Sequence, residues 1–400
     1  KYDIINYNDW SLSLMTTMEI TTPSFEMRSI NVVANLTAKD LNEFKIADIV
    51  NLYVPPIIVI VGNICNILAI LVMRSPHFRC LSTSVYMIAC AVNDAVSLII
   101  SLTAHWVGVN FPDAIIRNDY SHYMCKFFNF YGWGNCDYTI LLTAAMTADR
   151  AYAIMKPLKA STMNLVKRAK IIVTLLIVIV VIKEFHFLFS SDLVPPERTE
   201  RLCSVVAPTD AYEYFYHKVW PGIHLSFLTV CFIIIISSNI IIIRNVRRSA
   251  NMSDFKNRKL STGNLSLTGN EFNSSNQSAQ GRWRQMTTML LAESFALILL
   301  TYPFSMHLSV IANIPDVYTD PVKNAANQLS FSVVFYLLYS NKCVNFCLYC
   351  VTGSRFRLAL REILSYIMTQ ISKTNFQDPA KPVRYGPEIS HYVIAAILEF

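Results

Sequence analysis

The chain has 400 residues, of which 53% are hydrophobic and only 15% charged, with a mean hydropathy of +0.37 and a formal net charge of +7. A soluble globule carries roughly 25% charged residues, so the deficit points to an outer surface that faces lipid. The 10 glycines argue against a glycine-rich nucleotide-binding fold, and the placement of the basic residues must decide whether the positive charge serves nucleic acid.

Along the chain, residues 1–48 form a polar N-terminal segment without a signal peptide, and the start at Lys1 suits a fragment or a trimmed product. Asn35 opens an Asn-Leu-Thr acceptor for N-glycosylation. A helix that crosses a bilayer needs about 20 apolar residues. Seven stretches qualify, at 49–73, 82–107, 126–154, 169–190, 218–243, 285–312 and 326–351. The fold class is therefore an all-α membrane protein, with the lipid bilayer as its first partner. Pro55, Pro56 and Pro303 lie inside spans, where neighbouring helices can satisfy the freed backbone groups.

Basic residues set the orientation. They crowd the segments after span one (Arg74, Arg79), span three (Lys156, Lys159, Lys167, Arg168, Lys170), span five (Arg244, Arg247, Arg248) and span seven (Arg355, Arg357, Arg361). The opposite loops hold acids such as Asp113, Asp119, Asp192, Glu197 and Glu200. The N-terminus is expected outside and the C-terminus in the cytoplasm. The positive charge is topological, which removes nucleic acid as a partner. The membrane domain spans 49–365; its third cytoplasmic loop, about 244–284, is Ser/Asn/Gly-rich at its centre and expected to be disordered, and the tail 366–400 is expected to be mostly unstructured.

Ionisable side chains inside spans are costly and normally face the bundle interior. They are Asp94, Asp137, Asp149 with Arg150, Glu293 and Lys342, besides several histidines. Span three shows a stripe of Phe128, Gly132, Asn135, Thr139, Leu142, Met146 and Asp149, spaced by four and three, which is one helical face. Span seven repeats it with Phe331, Phe335, Leu338, Lys342, Asn345 and Tyr349. Each stripe runs from aromatic outside to polar inside, as a deep outer cavity above a polar core requires. Of the 10 cysteines, most sit in apolar runs and form no metal framework; Cys125 and Cys203 stand apart, at or beyond the ends of such runs.

With these residues in place, the chain resembles a rhodopsin-like (class A) G-protein-coupled receptor over residues 49–365. Gly62-Asn63 in span one, Asp94 in span two, Asp149-Arg150-Ala151 running on to Pro157-Leu158, Pro303 in span six, and Asn345-Phe-Cys-Leu-Tyr349 in span seven carry the likeness. Gly353–Leu364 resembles the family's short amphipathic eighth helix. Span four lacks Trp, Cys231 replaces a proline and Thr301 a tryptophan, departures shared with invertebrate neuropeptide (FMRFamide-like) receptors, as are Trp220-Pro221 and the Thr301–Pro303 segment. The resemblance implies a disulfide between Cys125 and Cys203, both on the oxidising side. It implies a G-protein coupling switch at Asp149, Arg150 and Tyr349, and a polar core of Asn63, Asp94, Asn135, Thr139, Asn341, Lys342 and Asn345. Relatives hold a sodium ion in that core; here Lys342 either pairs with Asp94 and replaces the ion, or snorkels, or pairs with Glu293. Asp137 is read either as a functional contact or equally as a structural polar anchor.

The position matching the amine receptors' acidic residue is Gly132, which argues against an amine, and the position of the opsins' retinal lysine is Tyr339. The expected ligand pocket comprises His105, Phe128, Tyr131, Trp133, His224, His307, Phe331, Phe335 and Tyr339, broad and aromatic. The implied function is a plasma-membrane receptor that binds an extracellular neuropeptide, of RFamide type, and activates a heterotrimeric G protein through outward movement of span six. Arrestin and receptor kinase are the further partners implied; no cofactor and no catalytic residue is expected. The alternatives are a divergent orphan or constitutively active receptor for a non-peptide ligand and, less favoured, a transporter. The halves show no internal repeat, and neither HExxH nor GxSxG occurs.

Overall fold

The structure is a computed structural model that describes residues 37–111, 120–156, 165–194, 202–206, 208–261, 270–311, 314–317 and 319–375. Asn35 and the outer-loop acids Asp113, Asp119, Glu197 and Glu200 lie outside the described residues.

The protein is a bundle of seven long helices with an eighth along one end. The helices are α1 (Asn42–Arg74), α2 (Ser82–Asn110), α3 (His122–Met155), α4 (Leu165–Glu184, followed by a turn at Phe187–Ser190), α5 (Trp220–Ser261), α6 (Asn270–Ile311), α7 (Pro321–Thr352) and α8 (Ser354–Asn375). Local signals start them where the sequence allows. Ser121 accepts a hydrogen bond from the Met124 backbone N–H at 3.3 Å to cap α3. Asp320 caps α7 through the Val322 and Lys323 N–H groups at 2.8 and 3.2 Å, with Pro321 at the first helical position, where its missing N–H costs nothing. Between α4 and α5, β1 (Ser191–Val194) and β2 (Leu202–Val205) pair antiparallel, with Leu193 opposite Cys203.

Among the described residues, six helices are long and apolar enough to cross a membrane, and α3 is the exception. The reason is its place. Seventeen of its 34 residues are buried, against five of 20 in α4, so α3 is sheathed by protein and needs no lipid face. The outer helices show the reverse. Ile57, Ile60, Ile64 and Ile67, spaced by three and four along α1, are all more than half exposed. So are Ile171, Leu175 and Ile182 on α4. Large apolar side chains left uncovered in this pattern face the hydrocarbon. Inside, α1 packs on α7 and α2, α3 on α4 and α5, and α6 on α7. Tyr86, Met87, Leu142, Met146, Leu290, Tyr349 and Phe356 form the main core.

Two boundaries differ from the sequence expectation. Within the segment expected to be disordered at 244–284, the described residues continue the spans as helix, α5 reaching Ser261 and α6 beginning at Asn270, while 262–269 lie outside the described residues. A helix already nucleated in the membrane extends at little cost through the Arg-, Lys-, Gln- and Asn-containing sequence beyond it, because nucleation is the expensive step. For the same reason α8 does not stop at Leu364 but runs to Asn375, over the first part of the tail expected to be unstructured. A third difference lies inside α2, where Leu98–Leu102 forms a π-helical turn.

Gly62 marks the tightest crossing. A Cβ there would collide with Cys343 Sγ of α7 and approach Leu98 Cδ1 of α2 to 2.5 Å. Gly62→Val is expected to lower the thermal stability of the purified protein, by about 1–3 kcal/mol for an overpacked site. Gly222→Ala, which meets nothing within 4 Å, is expected to leave it unchanged. Equal melting temperatures for the two variants would contradict the α1–α2–α7 packing.

Candidate functional site

Side chains from α2, α3, α6 and α7 form three polar or aromatic layers along the bundle axis. In the outer layer, the Cys125–Cys203 disulfide ties α3 to β2, its Cα atoms 5.3 Å apart across 78 residues of sequence. Asn129 of α3 adds a hydrogen bond to Ser191 Oγ at 3.0 Å, and His122 pairs with Asp192. The hairpin is thereby pinned to the end of α3. Asp192, outside the spans, is held below the ordinary carboxylate range by its hydrogen bonds with His122 and the Leu193 N–H, which outweigh its partial burial.

The residues expected to line the pocket divide into three aromatic groups. His105 of α2 lies 4.4 Å from the Phe335 ring of α7, Phe331 stacks on Phe335 at 5.3 Å, and Tyr339 and His307 close the group at 4.9 and 6.1 Å. Phe304 of α6, which sequence reasoning missed, bridges Phe331 and Phe335 at 6.0 Å. Trp133 and His224 belong elsewhere: Trp133 packs on Phe187, Trp220 and His224, on the α4–α5 side. The helical wheel explains the split, since Trp133 lies only one residue beyond Gly132 on the α3 stripe and so turns about 100° away from it. Phe128 is buried beside Phe127 and Tyr131 stacks on Phe127, both on α3.

In the middle layer, Lys342 projects from α7 into the bundle. Its Nζ donates to Asp94 Oδ1 at 3.3 Å, Asn135 Oδ1 at 2.9 Å and Thr139 Oγ1 at 3.5 Å. Asn93 donates to Asn135 and Thr139 at 3.1 and 2.9 Å, and Asn341 and Asn345 are buried on the same helix as the lysine. Lys342 and Asp94 are 4% and 0% exposed. Of the geometries open to Lys342 in the sequence, the structure holds the Asp94 pair. Asn63 does not join this layer. Its amide caps the Val59 carbonyl of its own helix at 2.7 Å, whereas Asn66 reaches the Lys342 carbonyl at 3.0 Å. Both asparagines sit in polar-free surroundings in the sequence, and one turn of α1 separates the two faces.

In the inner layer, Tyr349 donates to Glu293 of α6 at 2.9 Å, both side chains buried. Glu293 is thus committed to Tyr349. Asp149 and Arg150 are 6% and 5% exposed. The two oxygens of Asp149 are engaged from other helices, Oδ2 by Ser82 Oγ at 2.9 Å and Oδ1 by Arg168 of α4. Arg168 also lies over the Tyr152 ring, 5.0 Å from its centroid. Sequence reasoning had Arg168 as a loop charge only, because its partner is 19 residues away along the chain.

A fourth cluster lies between α3, α4 and α5, where Asp137, Lys183, Glu184 and His224 meet. Lys183 and Glu184 were missed as intramembrane charges. The signal was present, as a Lys-Glu pair inside the fourth apolar run at 169–190.

A family model described as "7 transmembrane receptor (rhodopsin family)" matches residues 62–349, which is 288 of the 400 residues. The chain is also similar to a Caenorhabditis elegans protein described as a galanin-like G-protein coupled receptor, 21% identical over 352 residues that cover 84% of this chain and 78% of that protein.

Breaking a buried ion pair by removing one partner costs about 3–5 kcal/mol, because the remaining charge is stranded. Lys342→Met is expected to show a loss of that order in thermal unfolding, and adding Asp94→Asn is expected to restore most of it. A double variant no more stable than the single one would refute the pairing.

Proposed function

The chain belongs to the rhodopsin family of seven-transmembrane receptors, and on that premise we propose that it binds an extracellular neuropeptide and activates a heterotrimeric G protein. The family is one of signalling receptors rather than enzymes, and the protein is a multi-span membrane protein. The finer reading concerns the plasma membrane, an extracellular N-terminus, and a peptide of RFamide type.

The observation that carries the peptide reading is the outer aromatic group on α2, α6 and α7, with His105, Phe304, His307, Phe331, Phe335 and Tyr339 in mutual ring contact. Such rings suit aromatic and cationic side chains, an Arg guanidinium by cation–π attraction above all. Gly132, in place of an acid, speaks against an amine, and the likeness to a galanin-like receptor supports a peptide. The disulfide-pinned hairpin would roof that group of rings.

The proposed route inward uses the layers in order. Peptide contact with α6 and α7 rings shifts α6 relative to α7. That movement strains the Glu293–Tyr349 bond and lets the inner end of α6 swing outward. Arg150 then meets the G protein. Asp149, held by Ser82 and Arg168, anchors α3 against α2 and α4 while α6 moves. The polar core differs from sodium-binding relatives, because the Lys342 ammonium stands among Asp94, Asn135 and Thr139 where the ion would lie. A cation tethered to the chain cannot be diluted away, so sodium should not regulate this receptor.

Three measurements test this reading. Screening peptide libraries against cells that express the receptor, with calcium and cyclic AMP as outputs, is expected to return an amidated peptide agonist; a response only to small amines would overturn the peptide assignment. Arg150→Ala is expected to abolish agonist signalling while peptide binding survives. Lys342→Ser is expected to make agonist affinity fall about fivefold or more with added sodium, within the usual range of coupling between sites, while the wild type stays insensitive. Equal sodium sensitivity in both would sink the tethered-cation idea.

A further inference from the structure

The cluster between α3, α4 and α5 has no part in that route, and its chemistry differs from the layers around it. One ligand atom from each of Asp137, Glu184 and His224 lies within 4.8 Å of the other two. Both carboxylate side chains are almost wholly buried, at 1% and 0% exposure, and the imidazole is at 19%. The Lys183 ammonium stands among all three. It donates to Asp137 Oδ2 at 2.7 Å and to Glu184 Oε1, and lies 3.2 Å from His224 Nδ1. Two further oxygens, Asp137 Oδ1 and Glu184 Oε2, are buried without a hydrogen-bond partner, and Asp137 Oδ1 is 3.9 Å from His224 Nδ1.

The arrangement leaves two buried oxygens, Asp137 Oδ1 and Glu184 Oε2, unanswered, and a buried polar atom without a partner is costly. A divalent ion on the same three side chains would engage those oxygens. Two carboxylates and an imidazole are a donor set that zinc-class ions accept, with a fourth position left open. Ligand atoms of a tetrahedral zinc site lie about 3.4 Å apart at bond lengths of about 2.1 Å, so closure from the present separation asks about 1 Å of side-chain adjustment. The lysine has somewhere to go. Its Nζ already lies 5.5 Å from the Trp220 ring and 5.1 Å from that of Phe227, it sits one residue from the end of α4, and a four-carbon stem can carry the charge to the interface.

We propose that Asp137, Glu184 and His224 form a binding site for one divalent transition-metal ion of the zinc class, whose centre the Lys183 ammonium occupies in the metal-free protein. Metal and lysine compete for the same carboxylates, so the ion exchanges with a tethered cation, and binding joins α3, α4 and α5.

Zinc alone is the probe, added to the purified full-length protein in lipid nanodiscs and read by competition with a fluorescent chelator. The expected result is one zinc per protein, weakened at least about tenfold by His224→Ala and by Asp137→Asn, and tightened by a similar factor in Lys183→Met. X-ray absorption should show nitrogen and oxygen ligands at about 2.0–2.2 Å. Lys183→Met leaves two facing carboxylates and folds poorly without metal, so its melting temperature should rise more on adding zinc than that of the wild type. Zinc uptake that His224→Ala and Asp137→Asn leave unchanged would overturn the proposal, as would absence of uptake by the wild-type protein.

Discussion

An ion inside a bilayer has no water to turn to, so each buried charge must find its opposite among neighbouring helices, and that constraint shapes this bundle more than any single apolar contact. Lys342 answers Asp94 across α7 and α2, Arg168 answers Asp149 across α4 and α3, and Lys183 answers Asp137 and Glu184 across α4 and α3. In each case the partners come from different helices, or the pair reaches a third one. The pairs therefore register the helices against each other, a specificity that featureless Leu-on-Leu packing between lipid-soluble rods would not supply.

Helix α3 bears most of this traffic. It contributes Asn135, Thr139, Asp137 and Asp149 to three separate clusters and is pinned at its outer end by Cys125. A helix so placed buries polar faces on several sides and has no need of an apolar exterior. Its composition follows from that position, as the Ile-rich outward stripes of α1 and α4 follow from theirs.

The two intramembrane lysines invite comparison. Each answers buried carboxylate charge, but the surroundings differ. Lys342 donates to one carboxylate, one amide and one hydroxyl, which together take up its three donors and leave little reason for exchange. Lys183 faces two carboxyl groups, an imidazole and aromatic rings, with two carboxyl oxygens left unpartnered. The first arrangement resembles a permanent plug, the second a cation held in competition.

The sequence by itself determined the seven-helix membrane bundle and which faces of α3 and α7 turn inward, because hydropathy and the spacing of side chains along a helix are properties of the chain alone. It placed Asp94, Asn135, Thr139, Lys342 and Asn345 in one layer, since stripes on two helices that face a common axis meet at equal depth. Tertiary structure alone decided between Asn63 and Asn66, sent Trp133 and His224 away from the α7 rings, committed Glu293 to Tyr349 rather than to Lys342, and joined Arg168 to Asp149 and Lys183 to Asp137. Those outcomes depend on the rotation of each helix about its own axis and on which neighbours flank it. A rotation of some tens of degrees moves a side chain from one partner to another without altering any pattern along the chain.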